Sequence, residues 1–385
     1  MRLTILILLF SVLITACSTG TNDTNDSYAG LTGDSIRTIE LNISDTSWTD
    51  VKSLLQIDSY VFLSSKVPIG TLERVIIEND YIYILDEQSR LVCFKPNGDI
   101  AFYLDRKGKG PGEFSSITDI VIRSEKNTLT IADQGRRKLI HYSSKNGKFI
   151  SEEDLKVSVD ALAYWNNKYY HYNPYHFNYP TDESMHYSLL CSENGEEITN
   201  RYFPHDPKIA DYMYGDAFHQ FSYNSDELYF RRRFIDTVYA ITTEGVVPRY
   251  SFVLPDALPY SLVQQKPNAL ELATKSKYSG TLYNIFRSGN ILHANFFNQN
   301  FVVSAYYDLE KDETIYCGKH VWPYPTKELP VCSLIDGVYN NKFFSLVSPL
   351  SIIERMKINP KAFSKDWFSI NENSNPVLVF YKLVR

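Results

Sequence analysis

Apolar and polar residues alternate in short runs along most of the chain, with a period of two and not 3.6. Glu73-Arg-Val-Ile-Ile, Tyr81-Ile-Tyr-Ile-Leu-Asp86, Thr118-Asp-Ile-Val-Ile and Thr128-Leu-Thr-Ile-Ala-Asp133 are such runs, broken by Asn79-Asp80 and Glu125-Lys-Asn127. They predict strands joined by tight turns. The pattern also repeats. Apolar strands starting at Leu91, Leu139, Tyr187 and Val238 run into Asn97-Gly98, Asn146-Gly147, Asn194-Gly195 and Glu244-Gly245. Asn-Gly between strands is a strong hairpin signal, because both residues tolerate positive φ. The glycines recur at a period of about 49 residues, and four short strands per period is the arithmetic of a propeller blade.

Two later units are longer. Counting the third strand of each unit, the starts fall at Leu91, Leu139, Tyr187, Val238, Val302 and Val377. The predicted fold is all-β: a six-bladed β-propeller of four-stranded antiparallel blades, with short helical insertions in the last two blades. Asn268 with Glu271 has capping-box spacing, and Ser348-Pro349 puts Pro at a first helical position. No fourth strand follows the one at Val377, whereas Thr38-Ile-Glu-Leu-Asn-Ile43 alternates cleanly ahead of the first blade. The expectation is that this early strand completes blade six and closes the ring.

The N-terminus is of another kind. Met1-Arg2 precedes an apolar stretch, Leu3 to Ile14, and then Thr15-Ala16-Cys17. This reads as a signal peptide, too short for the roughly 20 residues that span a bilayer. The Cys directly after Thr-Ala resembles the bacterial lipobox, which implies lipidation at Cys17. Ser18 to Ser35 is polar and aperiodic, as expected of a tether. The expected domains are a lipoprotein signal peptide at 1–16, a lipidated tether at 17–36 and the propeller at 37–385. The implied location is the outer membrane, on its periplasmic face or at the cell surface, held through the lipid alone.

Composition adds two constraints. With 39 Lys+Arg against 45 Asp+Glu the net charge is −6, which disfavours a nucleic-acid partner. Aromatic residues reach 14%. Eight of them fall between Tyr164 and Tyr179, including Tyr164, Trp165, Tyr170, Tyr172 and Tyr175 beside Asn and His. Such a mixture suits a sugar's apolar face and hydroxyl edge, while strand alternation requires about half of the rings to face a core. Arg231 and Arg233 flank Arg232 at a strand end, so alternation puts the outer two on one face, where they could grip a carboxylate or sulfate. Pairing with Asp236 or Glu227 is the structural alternative. Asp86 and Asp133 hold equivalent blade positions, as strand-end caps or axial ligands. No His-Glu-x-x-His, nucleophile elbow or Walker ending occurs, so neither a cofactor nor a metal is expected. Cys93 and Cys191 lie in apolar runs and read as buried thiols.

Arg106-Lys-Gly108-Lys-Gly110-Pro111-Gly112-Glu113-Phe114 resembles the glycine-rich signature of the six-bladed β-propeller lipoproteins of Bacteroidetes, which are related to NHL-repeat propellers. Phe234-Ile-Asp-Thr-Val-Tyr239 and Asn375-Pro-Val-Leu-Val-Phe-Tyr-Lys-Leu383 are similar to that family's later strands. The resemblance implies fold and export more than chemistry. Residue by residue, the glycine loop reads as an inter-blade connection with Glu113 bonding backbone amides, or as a ligand contact through Lys107, Lys109 or Glu113. The functional expectation is an envelope binding module for a glycan or a protein partner. The alternative is a propeller lactonase, lyase or glycan-active hydrolase with an axial metal or acid/base site. Coplanar exposed aromatics would mark the glycan binder; an exposed apolar patch would mark a protein contact.

Overall fold

The computed structural model describes residues 36–44, 54–174, 181–212, 220–224, 227–268, 277–299, 301–319 and 325–384. The signal peptide, Cys17, the tether, Tyr175 and all but the first residue of the Asn268–Glu271 cap lie outside this set.

The described residues form a six-bladed β-propeller. Blade one comprises β3 (Leu72–Glu78), β4 (Tyr81–Asp86), β5 (Leu91–Phe94) and β6 (Ile100–Leu104). Blade two holds β7 (Asp119–Arg123), β8 (Thr128–Asp133), β9 (Lys138–Ser143) and β10 (Phe149–Asp154). Blade three holds β11 (Ala161–Trp165), β12 (Lys168–Tyr172), β13 (Tyr187–Ser192) and β14 (Ile198–Pro204). Blade four has β15 (Phe221–Tyr223), β16 (Leu228–Arg231), β17 (Thr237–Ile241) and β18 (Val246–Val253). Blade five has β19 (Ser279–Ser288), β20 (Ile291–Asn298), β21 (Phe301–Asp308) and β22 (Glu313–Lys319). Blade six has β23 (Gly337–Tyr339), β24 (Lys342–Val347) and β25 (Val377–Leu383), with β2 (Leu55–Phe62) as its fourth strand. The first strands touch in ring order, β3, β7, β11, β15, β19, β23 and back to β3, so they line the axis.

Closure differs from the expectation. β2 completes blade six, pairing antiparallel with β25 from Leu55↔Leu383 to Phe62↔Val377. The earlier strand, β1 (Arg37–Glu40), instead lies parallel to β18 as a fifth strand on blade four. Its Ile39, with Leu41 just after it, is buried between blades four and five, among Tyr250, Phe252, Leu282 and Cys317. The physical reason is that the clean alternation of 38–41 serves a wedge between two blades as well as it would serve a closing strand.

Each of the six blade interfaces has its own apolar cluster. Between blades one and two, Tyr83, Leu85 and Cys93 meet Ile120, Leu129 and Ile131. Blades six and one meet through Leu378, Phe344, Ile82 and Phe94. Cys93, Cys191, Cys317 and Cys332 are all buried and free.

The strand order gives the disc two unlike faces. Connections from first to second and from third to fourth strands emerge on one side, the hairpin face. They are short turns: Asn79-Asp80, Asn166-Asn167 and Asn340-Asn341 all have positive φ, as do Gly98, Gly147, Gly245 and Gly289. The remaining connections emerge on the opposite side, the connection face. Most of the long segments are there: 63–71, 105–118, 205–212, 254–268 and 348–376. Helix α1 (Tyr260–Val263) lies in the fourth of these. Helix α2 (Pro349–Ile358) lies in the last, capped by Ser348, whose Oγ accepts the Ser351 amide at 3.2 Å, with Pro at the first turn.

Candidate functional site

The connection face carries the features a ligand or partner could meet. The glycine loop spans the gap from blade one to blade two. Glu113 turns back and accepts the Gly110 amide at 2.8 Å, while Gly108 N–H donates to Phe114 O at 2.9 Å. Phe114 is fully buried in the cluster between the two blades. Arg136 donates to the Glu113 and Lys109 carbonyls, and the Tyr142 hydroxyl donates to Gly112 O at 2.8 Å. Gly112 has φ +68°, and a Cβ there would sit 2.7 Å from the Phe149 ring. Gly108, Gly110, Pro111, Gly112, Glu113 and Phe114 thus form a folded plug whose polar groups largely satisfy one another.

Asp86 and Asp133 cap turns. Asp86 accepts the Gln88, Arg90 and Gly70 amides and pairs with the Arg90 guanidinium at 2.7 Å. Asp133 accepts Ser115 N–H and Oγ–H, each at 2.6 Å, and the Arg136 amide. Both carboxylates are occupied in tying a turn to the preceding inter-blade connection.

The aromatic segment does not make an exposed platform. Tyr170 and Tyr172 are buried in the cluster between blades three and four, and Tyr164 in the one between blades two and three. Tyr164 hydroxyl donates to Glu125, and the Arg123 guanidinium lies 4.9 Å from its ring centroid. Trp165 is half-buried against Tyr223, centroids 6.4 Å apart. Both faces of a blade pack on neighbours, so alternation sends rings into two cores and not into one core and solvent.

The arginine expectation also changes. β16 ends at Arg231, and a turn begins beyond it, so period-two alternation stops there. Arg231 is 1% exposed. Arg233 instead joins Arg232 in lining a crevice between blades three and four, with Tyr172, His205, Asp206 and Tyr260. The Arg232 guanidinium lies over the Phe203 ring at 4.6 Å, and Arg233 lies over Phe234 at 5.0 Å. His205 Nε2 is 3.0 Å from Asn173 O. Burial pushes the Asp206 carboxyl up, but hydrogen bonds from Gln264, the Lys208 amide and Tyr260 outweigh it and hold the group below the usual carboxylate range. The crevice has a free volume of about 40 Å³, far below the roughly 300 Å³ at which small-molecule pockets begin. It admits a carboxylate-sized group but not a sugar ring. His205, Asp206 and Tyr260 gave no signal in the sequence, because two separate connections bring them to Arg232 and Arg233 on a third.

At the axis, Arg74 of blade one faces Asp119 of blade two at 3.6 Å, both buried. Asp119 also accepts the Ile120 and Leu162 amides at 2.8 Å. Burial raises its carboxyl, against the pull of Arg74 and these amides. Tyr223 hydroxyl accepts the Tyr164 amide at 2.9 Å, carrying the polar chain on into blade four.

A second, larger depression lies on the blade-six insertion. Its free volume is about 520 Å³, and Ile353, Met356, Phe368 and Ile370 line it with Lys357, Asn371 and Glu372. On the same insertion Leu350 is 60% exposed, Ile358 57% and Phe368 55%. The insertion is fixed by Trp367, which packs on Tyr60 and Phe62 of β2 with centroids 4.7 and 5.6 Å apart.

A six-bladed propeller with its open features on one face is thus the class that fold and site define. The chain belongs to the family described as Domain of unknown function (DUF4934), which it matches over residues 64–382. None of the curated proteins matches it. Among solved structures it is similar to a putative exported protein from Bacteroides fragilis, with 18% identity and a TM-score of 0.72, covering 91% of this chain and 100% of that one. A member of the duf4221 family from Bacteroides vulgatus is more distant, at 10% identity and TM-score 0.47, over 86% and 99% of the two chains.

Proposed function

We propose that the protein is an exported, lipid-anchored propeller that works by protein–protein contact through its connection face. The Ile14-Thr-Ala-Cys17 sequence supports the anchor, and the Bacteroides fragilis protein of like fold is itself named for export. The chain enters the disc on the hairpin side: Arg37 Nη1 donates to Leu309 O at 2.6 Å, in the turn between β21 and β22.

One observation favours a protein partner over a glycan. Tyr164, Tyr170 and Tyr172 are buried in blade interfaces, whereas Leu350, Ile358 and Phe368 all stand exposed on one insertion. Exposed apolar clusters of this kind mark contact surfaces. The test is site-specific photo-crosslinking in cells. A photoreactive residue at Phe368 should give a crosslinked protein adduct that one at Asn146, on the hairpin face, does not. Adducts at neither site, combined with a polysaccharide-induced thermal shift of the purified chain, would return the reading to a glycan.

A further inference from the structure

We infer that the partner of the blade-six surface is a second copy of this chain, paired about a two-fold axis. This rests on the protein-contact reading and names its occupant. The depression is apolar at its centre, and its rim carries one charge of each sign: Lys357 from α2 and Glu372 from the segment after Ile370. Neither enters an ion pair among the described residues, and both are exposed. Lys365 and Asp366, beside Phe368, repeat the same mixture. A partner of one strong charge gains nothing from such a rim, because each attraction is offset by a repulsion. A two-fold copy gains twice, since Lys357 of each chain meets Glu372 of the other. Self-complementarity of this kind is what an isologous interface requires.

The position of the surface suits that pairing. Trp367 seats the insertion on β2, the outermost strand of blade six, so the apolar residues lie over the edge of the disc and not over its axis. Two discs can meet there side by side with both N-terminal segments leaving on the same side. The expected dimer dissociates in the micromolar range, at about 8 kcal/mol of association free energy.

The experiment is sedimentation velocity of the mature chain, carrying Cys17→Ser to keep it in solution, over a concentration series from 1 to about 100 µM. A reversible monomer–dimer equilibrium is expected. Phe368→Ser and Ile358→Ser should each weaken it by about tenfold or more, both being solvent-exposed in the monomer and so compatible with folding. Lys357→Glu and Glu372→Lys should each weaken it, and the double exchange should restore it. A monomer throughout the series overturns the inference, as does a dimer indifferent to all four substitutions. A monomer whose Phe368 crosslinks in cells still reach another protein overturns the self-pairing and leaves the protein-contact reading standing. A monomer that binds anionic lipid vesicles through Phe368 overturns both.

Discussion

The two faces of the disc are made from the same strands and differ in what joins them. On the hairpin face short turns, many with positive φ, reverse the chain as tightly as the backbone allows. On the connection face the chain must reach from one blade to the next, and most of the inserted length accumulates there. Partly buried carboxyls gather there too. Asp236 lies in the turn between β16 and β17, and Asp336 just before β23. Burial pushes both carboxyls up to about 7, against hydrogen bonds from the Leu282 and Leu346 amides. A face built from minimal turns is a frame; a face built from long connections can hold crevices, strained loops and exposed apolar groups.

The comparison is broken most severely at the N-terminus, where the chain crosses between the faces in both β1 and β2. A chain beginning at Leu63 lacks the fourth strand of blade six and should show no cooperative thermal transition. A chain beginning at Asp45 keeps β2 and loses only the wedge of Ile39 and Leu41. It should fold with a loss of about 3–5 kcal/mol, the burial of two large aliphatic side chains. Circular dichroism melts separate the two, and failure of the second chain to fold would show that β1 is part of closure.

A glycine exchange sharpens the contrast between the faces. Gly112 on the connection face and Gly289 on the hairpin face both have positive φ. A Cβ on Gly112 would strike Phe149, whereas one on Gly289 would meet nothing within 4 Å. Gly112→Ala should cost about 3 kcal/mol, combining left-handed strain with overpacking, and Gly289→Ala only about 1. Equal losses in chemical denaturation would mean that the glycine loop yields and is no rigid plug.

The raised carboxyls give the connection face a pH signature. In the unfolded chain Asp336 and Asp236 titrate near 4, in the fold near 7. Below pH 4 both states hold the protons and nothing is lost. Between 4 and 7 the unfolded state releases protons that the fold keeps, so stability falls as pH rises and levels off above 7. Asp336→Asn should therefore stabilise the protein at pH 8 by up to about 4 kcal/mol and leave it unchanged at pH 4. A variant whose melting point tracks the parent's at both pH values would place that carboxylate in water.

The hairpin face was the legible one. Asn-Gly and Asn-Asp pairs have local backbone chemistry, so they report blade number and register from the sequence alone. The third strands begin at Leu91, Lys138, Tyr187, Thr237, Phe301 and Val377, within a residue of the expected starts. The closing strand was hidden by a register shift between Ile57 and Ser59, which moves the alternation of β2 to the other face halfway along. By contrast, the wedge at 38–41 alternates without interruption. The crevice was illegible because His205, Arg233 and Tyr260 come from three connections with no spacing to relate them. The buried tyrosines misled because a strand stacked between two blades has no solvent side for period two to reveal.

Hairpin turns also set the smallest expected effect. Asn166 and Asn167 both have positive φ, 49° and 61°, between β11 and β12. Asn166 is exposed, and asparagine tolerates this backbone better than other residues bearing a Cβ. Asn166→Gly relaxes the residual strain but adds backbone entropy to the unfolded chain, so the two effects should cancel to within about 0.5 kcal/mol. Asn166→Ala keeps the Cβ, loses the local polar side chain and should cost about 1 kcal/mol. Neither should change the association of chains through the blade-six surface, since this turn lies on the opposite face of the disc. A change in dimerisation on Asn166→Gly would therefore count against the separation of frame and contact surface, even with the fold intact.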